Sequence, residues 1–291
     1  MNTELESAQF LNDFFSRLFN KTLFNRTIQF KSINRYLYEH NNSFLIQKRI
    51  GSDSKTACIY LCQKDDHRIL PFVHKKYKDP LKQNAFNDIN MSIRLTRLVI
   101  ENINPHFNIT YKYYNKGLLA ELASGDLISF LKGYKKYNII ANCLQQILLC
   151  ILSFHIHTEL IHNDCYHGNF LFHKITPGGH IHYQINKQNI YIENLGYLWV
   201  INDFDMISEV PKNNEYINDY SQAMEAFVNY KKCKTFNKIV RHIVFMLSEM
   251  TENFNDYDFF HRIFEETSLY NLQVNKGELI NQIINKHPYT L

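Results

Sequence analysis

The stretch Leu160-Ile161-His162-Asn163-Asp164-Cys165-Tyr166-His167-Gly168-Asn169 has the pattern H-x-D-x4-N, and Val200-Ile201-Asn202-Asp203-Phe204-Asp205 later supplies an Asp-Phe pair. Polar side chains this far apart along a chain serve one chemistry only if the fold brings them together. Phosphoryl transfer from ATP has that need. A base must meet the acceptor hydroxyl, and two further oxygen ligands must hold Mg2+ on the nucleotide phosphates. Asp164, Asn169 and Asp203 are the candidates. An apolar helical run precedes the first segment and a strand pattern precedes the second, which is the order this chemistry requires.

With 45% hydrophobic and 21% charged residues, the 291-residue chain has the means to bury a core in one large domain or two lobes. Its net charge of +4 is dispersed, and the runs His74-Lys75-Lys76 and Lys231-Lys232 are short, so no nucleic-acid partner is expected. Cys58, Cys62, Cys143, Cys150, Cys165 and Cys233 fit neither a metal-site spacing nor a disulfide framework. Reduced thiols and a cytosolic compartment follow as expectations. The N-terminus shows no basic region leading into an apolar core, so secretion is not expected. The most apolar run, 138–157, is interrupted by Asn142, Gln145, Gln146 and His155, short of the ~18 uninterrupted apolar residues of a membrane span. It reads as a buried helix.

Phe10, Phe14 and Leu18, with Leu11, Phe15 and Phe19 one step over, give an amphipathic helix in an N-terminal helical extension, 1–43. From 44 the pattern turns to strands: 43–47, 56–62 and 69–74. Between the first two lies Ile50-Gly51-Ser52-Asp53-Ser54-Lys55-Thr56, either a phosphate-binding loop or an ordinary hairpin turn. Lys75 follows Val73 by two and shares its strand face, whereas Lys76 faces the other way. The helix expected over 85–102 offers Asp88 as the carboxylate of its early turns. Leu118-Leu119-Ala120-Glu121-Leu122-Ala123-Ser124-Gly125-Asp126 is an apolar strand running into a turn and a new helix start.

On the catalytic-loop pattern and the Asp-Phe pair, the chain resembles the protein-kinase-like superfamily over about residues 44–225. The resemblance implies an α+β, bilobal fold: a small β-rich N-lobe over 44–120 and a mainly helical C-lobe over 121–291. It implies ATP and Mg2+ as cofactors. Asp164 resembles the catalytic base, Asn169 and Asp203 the metal ligands, and Lys75 the lysine on the α/β-phosphates. Asp88 stands where that lysine's helix partner belongs. Gly51 and Ser52 resemble the nucleotide loop, Cys58 the apolar residue over the adenine, and the backbone from Glu121 to Ala123 the hinge that meets the base edge. His162 resembles the structural histidine of the loop, and His167 can donate a hydrogen bond to the γ-phosphate. Asp219 resembles the buried aspartate that supports the loop; a plain helix N-cap is the other reading.

The departures also carry information. Asn163 replaces the arginine that pairs with an activation-loop phosphate, Asp205 replaces the glycine after Asp-Phe, and the stretch from Asp205 to Asp219 is too short for a full activation segment. Between Asn169 and Asp203 an extended hairpin over 174–198 is expected, turning at Asn186-Lys187. His173, His180 and His182 lack partners at ligand spacing and are not read as a metal site. This arrangement is similar to serine/threonine protein kinases of large DNA viruses. It implies a viral or host protein as substrate, in the host cytoplasm or the virion. A small-molecule kinase of the aminoglycoside or choline type and a pseudokinase binding module are the alternatives.

Overall fold

The computed structural model describes residues 23–39, 44–50, 56–63, 71–133, 135–209, 215–250, 254–267, 269, 283–285 and 287–291. Gly51 and Ser52, and the repeat from Phe10 to Phe19, lie outside these residues. The fold is α+β, with a β-sheet part followed by a mainly helical part. The sheet contains β1 (Leu45–Ile50), β2 (Ala57–Gln63), β3 (Phe72–Tyr77), β4 (Thr110–Tyr114) and β5 (Gly117–Glu121), ordered β1-β2-β3-β5-β4 and antiparallel throughout. Helix α1 (Leu23–Glu39) precedes it, and α2 (Gln83–Ile100) joins β3 to β4.

The helix α2 forms on a stripe at three- and four-residue spacing. Ala85, Met91, Leu95 and Val99 are buried with it, and Asp88 falls on the same stripe. Position therefore forces a carboxylate inward among apolar neighbours. Gly117 lies opposite Lys76 in the ladder, and a Cβ there would collide with the Lys75 carbonyl oxygen. Only glycine lets β5 approach β3 this closely where Lys75 leaves the strand.

After β5 the chain runs through β6 (Gly125–Asp126) into the short helix α3 (Leu127–Leu131), then α4 (Tyr137–Thr158), β7 (Leu160–Ile161), β8 (Phe170–Lys174), β9 (His180–Ile185), β10 (Gln188–Glu193) and β11 (Tyr197–Ile201). It continues through β12 (Ser208–Glu209), α5 (Tyr216–Val228), α6 (Lys234–Glu249), α7 (Asp256–Glu266) and β13 (Tyr289–Thr290). Among the described residues α4 is long and apolar enough to cross a membrane, yet 89% of its apolar window is buried inside the protein. It is a core helix, apolar all round because other elements surround it. Trp199 of β11, fully buried, meets the Phe130 ring edge-on at 5.0 Å. Such pairs contribute ~0.5–1.5 kcal/mol beyond area burial.

β8 pairs directly with β11, and the β9–β10 hairpin is inserted between them, turning through Asn186 and Lys187, both at positive φ. Residues 283–285, within the part expected to be mainly helical, are not helical. Ile283 bridges His180, and the Asn285 side chain accepts from the His182 N–H and donates to its carbonyl oxygen, both at 2.8 Å. A side-chain amide there copies the hydrogen bonding of a neighbouring strand.

Candidate functional site

A cleft of about 290 Å³ separates the sheet from the helical part. Ile50, Ile59, Val73 and Lys75 line it from the sheet, Asp88 and Ser92 from α2, and Leu171 and Asn202 from β8 and the end of β11. Glu121, Leu122 and Ala123 form its edge where the chain crosses between the two parts. The ladder with β3 ends at Glu121, so the backbone of Leu122 and Ala123 lies outside strand pairing.

Lys75 is turned inward and Lys76 outward. The Lys75 Nζ lies 2.5 Å from Asp88 Oδ2 and 2.6 Å from Asp203 Oδ1. Burial by itself would lower the lysine pKa, but Asp203 and Asp88 outweigh it and raise it, so the ammonium is held charged. Asp88 is 1% exposed and takes donors on both oxygens: Tyr77 Oη at 2.6 Å, the Phe204 N–H at 3.0 Å and Ser92 Oγ at 3.2 Å. Burial pushes its pKa up, and Lys75 with these donors brings it below the ordinary value. One buried carboxylate thus links β3, α2 and the Asp-Phe segment.

Asp203 has φ +67, a left-handed conformation uncommon outside glycine, asparagine and aspartate. Phe204 is buried, stacked on Phe154 at 5.6 Å and edge-on to His162 at 5.4 Å. That anchor fixes the direction in which Asp203 leaves the strand. Asp205 is half-buried, and burial followed by the neighbouring Asp203 charge raises its pKa to about 6.

The loop from His162 to Asn169 is held from beneath. Asp219, fully buried within α5, accepts the His162 N–H at 2.8 Å and the Asn163 N–H at 2.9 Å. It caps the loop and not its own helix, whose N-cap is Glu215 without a side-chain bond. His162 is buried, with the Asp164 N–H donating to Nδ1 at 3.3 Å and Nε2 lying 3.2 Å from the Asn202 carbonyl oxygen. Burial lowers its pKa, and the two contacts fit a neutral ring protonated on Nε2. The ring is a spacer between loop and strand. Asn169 donates its amide to the Asp164 carbonyl oxygen at 2.8 Å and to Asp164 Oδ2 at 2.6 Å, which leaves its own Oδ1 pointing elsewhere. His167 is exposed on the turn between these two residues.

Lys75, Asp88 and Asp203 are therefore directly joined, as are Asp164 and Asn169, and Ala123 with Glu121 edges the same cleft. Cys58 is a correction. In the ladder Ile59 pairs with Lys75 and Cys58 with the exposed Lys76, so Ile59 faces the cleft and Cys58 the opposite side. The expectation for Glu121 concerned its backbone; its side chain is committed to a buried ion pair with Arg26 of α1. Residues that the sequence reading passed over include Val73, Leu171, Asn202 and Asp126, which line the cleft, and Asn108, whose buried Oδ1 has no partner among the described residues. Val73 had a signal, since it shares the Lys75 face. Arg26 had none.

Among the described residues no three of His, Cys, Asp and Glu gather to hold a metal ion. A Mg2+ bound through one or two protein oxygens and substrate phosphates does not need such a group. Asn169 Oδ1 and the Asp203 oxygen turned away from Lys75 are donors of the right kind. No family model matches the chain, and no curated protein matches its sequence.

Proposed function

We propose that the chain is an ATP- and Mg2+-dependent phosphotransferase with a bilobal, protein-kinase-like fold, acting on the hydroxyl of a protein serine or threonine. The observation that carries the reading is the junction of Asp203 with Lys75 and Asp88, both of which line the cleft, together with Leu122 and Ala123, which line it beyond the end of the β3–β5 ladder. Phosphoryl transfer requires positioning and charge neutralisation more than covalent chemistry from the protein. Lys75, held charged, is placed to neutralise nucleotide phosphate; the backbone of Leu122 and Ala123 is placed to bond a base edge; Asp126 sits at the cleft rim. Asn169 fixes one oxygen of Asp164, leaving the other to orient an acceptor hydroxyl and take its proton. Asn169 and Asp203 would hold Mg2+, which when bound supplies positive charge to the transferring phosphoryl group. Tyr166, His167 and Gly168 beside Asp164 are exposed, which favours a protein acceptor over an enclosed small molecule.

The test is transfer of labelled γ-phosphate from Mg·ATP to acidic and basic model proteins, run beside Asp164→Asn and Asp203→Ala. Label entering protein with the wild type alone supports the reading. Transfer to aminoglycoside or choline with none to protein moves it to a small-molecule kinase, and nucleotide binding without any transfer moves it to a pseudokinase.

A further inference from the structure

Arg26 belongs to α1, outside both the cleft and the loop that carries Asp164, yet it is 1% exposed. Its guanidinium makes four hydrogen bonds. Nε donates to Glu121 Oε2 at 3.2 Å, Nη2 donates to Glu121 Oε1 and to the Phe107 carbonyl oxygen, and Nη1 donates to the Pro105 carbonyl oxygen at 2.7 Å. Glu121 Oε1 also accepts the Ile109 N–H at 2.8 Å, and the Glu121 N–H donates to the Ile109 carbonyl oxygen at 2.9 Å. His173 Nε2 lies 3.4 Å from the same carboxylate. Four segments meet on one buried pair: α1, 105–109, the end of β5 and β8.

Two of these segments, the 105–109 stretch and the end of β5, run into the wall of the cleft. Asn108, Thr110, Ala120, Glu121 and Leu122 all line it, and Asn108 and Thr110 flank the Ile109 that Glu121 grips from both sides. A buried ion pair returns little net stability, because desolvation offsets its attraction, so its use here lies in fixing one geometry. A planar fork with five donors suits that use, and a lysine ammonium cannot span the same set of acceptors.

We propose that Arg26 is a positioning residue for nucleotide binding: by locking Glu121 to the 105–109 segment it sets the wall against which the base rests, making α1 a working part of the site. The proposal rests on the nucleotide reading of the cleft and deepens it. Preorganised walls raise affinity by removing the ordering cost at binding, while the groups around Asp164 are untouched.

The test uses the full chain with Arg26→Lys and with the double variant Arg26→Met/Glu121→Gln, which removes both charges and leaves no buried ion unpaired. Binding of Mg with a non-hydrolysable ATP analogue is followed by calorimetry, and KM and kcat for ATP are measured alongside the thermal midpoint. The expected result is a Kd and KM for nucleotide raised about tenfold in both variants, equivalent to ~1.4 kcal/mol. The loss falls on KM more than on kcat, and the thermal midpoint shows that each variant compared is folded. Unchanged Kd in folded variants, or a fall in kcat at unchanged KM, overturns the proposal and leaves the nucleotide reading standing. A wild type that binds no nucleotide removes both together.

Discussion

At the residue scale, two of the closest contacts join side chains that sequence already singled out. Asp164 and Asn169 lie within one loop, and a contiguous motif keeps its geometry wherever the loop is held. If Asp164 takes the acceptor proton, Asp164→Asn lowers kcat by ~10²–10⁴-fold, the usual worth of a positioned base. Nucleotide affinity and the unfolding midpoint should stay near wild type, because an asparagine oxygen can still accept from Asn169. Steady-state kinetics beside a nucleotide titration checks both halves, and an equal loss in binding would speak against the role. Lys75 and Asp88 were also legible, one from its strand face and the other as a carboxylate in early α2. The Cys58 assignment failed for a physical reason: strand side chains alternate, so a one-residue error in register moves a residue to the other face. Arg26 was illegible because its partners, Glu121, Pro105 and Phe107, are distant in sequence and two of the three act through backbone carbonyls.

At the element scale, the hairpin insertion and the helices beneath the loop each carry a prediction. The β9–β10 turn was readable from its alternation and its Asn-Lys pair, and in the structure both residues have positive φ, Asn186 at 44° and Lys187 at 68°. Asn-Gly fits such a turn better than Asn-Lys, since a Cβ in the left-handed region is crowded by the following carbonyl. Lys187→Gly should therefore stabilise the fold by ~0.5–1 kcal/mol, read as a higher urea midpoint at unchanged m. Beneath the loop from His162 to Asn169, His155 of α4 bridges Asp219 Oδ2 at 2.9 Å and Asp256 Oδ1 at 3.0 Å, with the Tyr216 and Tyr220 rings packed on it and Tyr220 Oη donating to Asp256. Burial would lower the imidazole pKa, but the hydrogen bonds and charges of Asp219 and Asp256 raise it above 6.5. A folded-state pKa above the unfolded one gives stability that is complete below pH ~6.5 and lost as pH rises through the folded value. Stability should therefore fall on the alkaline side, and His155→Gln, which does not titrate, should flatten that slope. Urea melts from pH 6 to 9 decide it: equal slopes in both proteins would dismiss the ionised bridge. The histidine was unreadable in advance because α4 alone gives no hint that two acids from α5 and α7 will meet it.

At the scale of the whole molecule, Lys75 comes from the sheet and Asp203 from the helical part, so their 2.6 Å contact ties together the two parts that line the cleft. A ligand filling that cleft touches both parts and should stabilise them as one unit. At ~100 times its Kd, Mg·ATP should add ~2.7 kcal/mol to folding by mass action. The whole chain should then unfold in a single transition at a higher temperature. Lys75→Met separates the contributions. It leaves Asp88 buried without its cation, a loss that reaches ~3–5 kcal/mol where nothing else compensates. Here Tyr77, Ser92 and the Phe204 N–H still donate to Asp88, so the baseline should fall by less than that. The nucleotide-induced shift should shrink as well, because the charge facing the phosphates is gone, whereas Asp164→Asn should keep the full shift while losing transfer. Thermal melts of the three proteins with and without Mg·ATP read all of this at once. An identical shift in wild type and Lys75→Met would place the nucleotide elsewhere than against Lys75, and no shift in the wild type would take the nucleotide out of the cleft altogether.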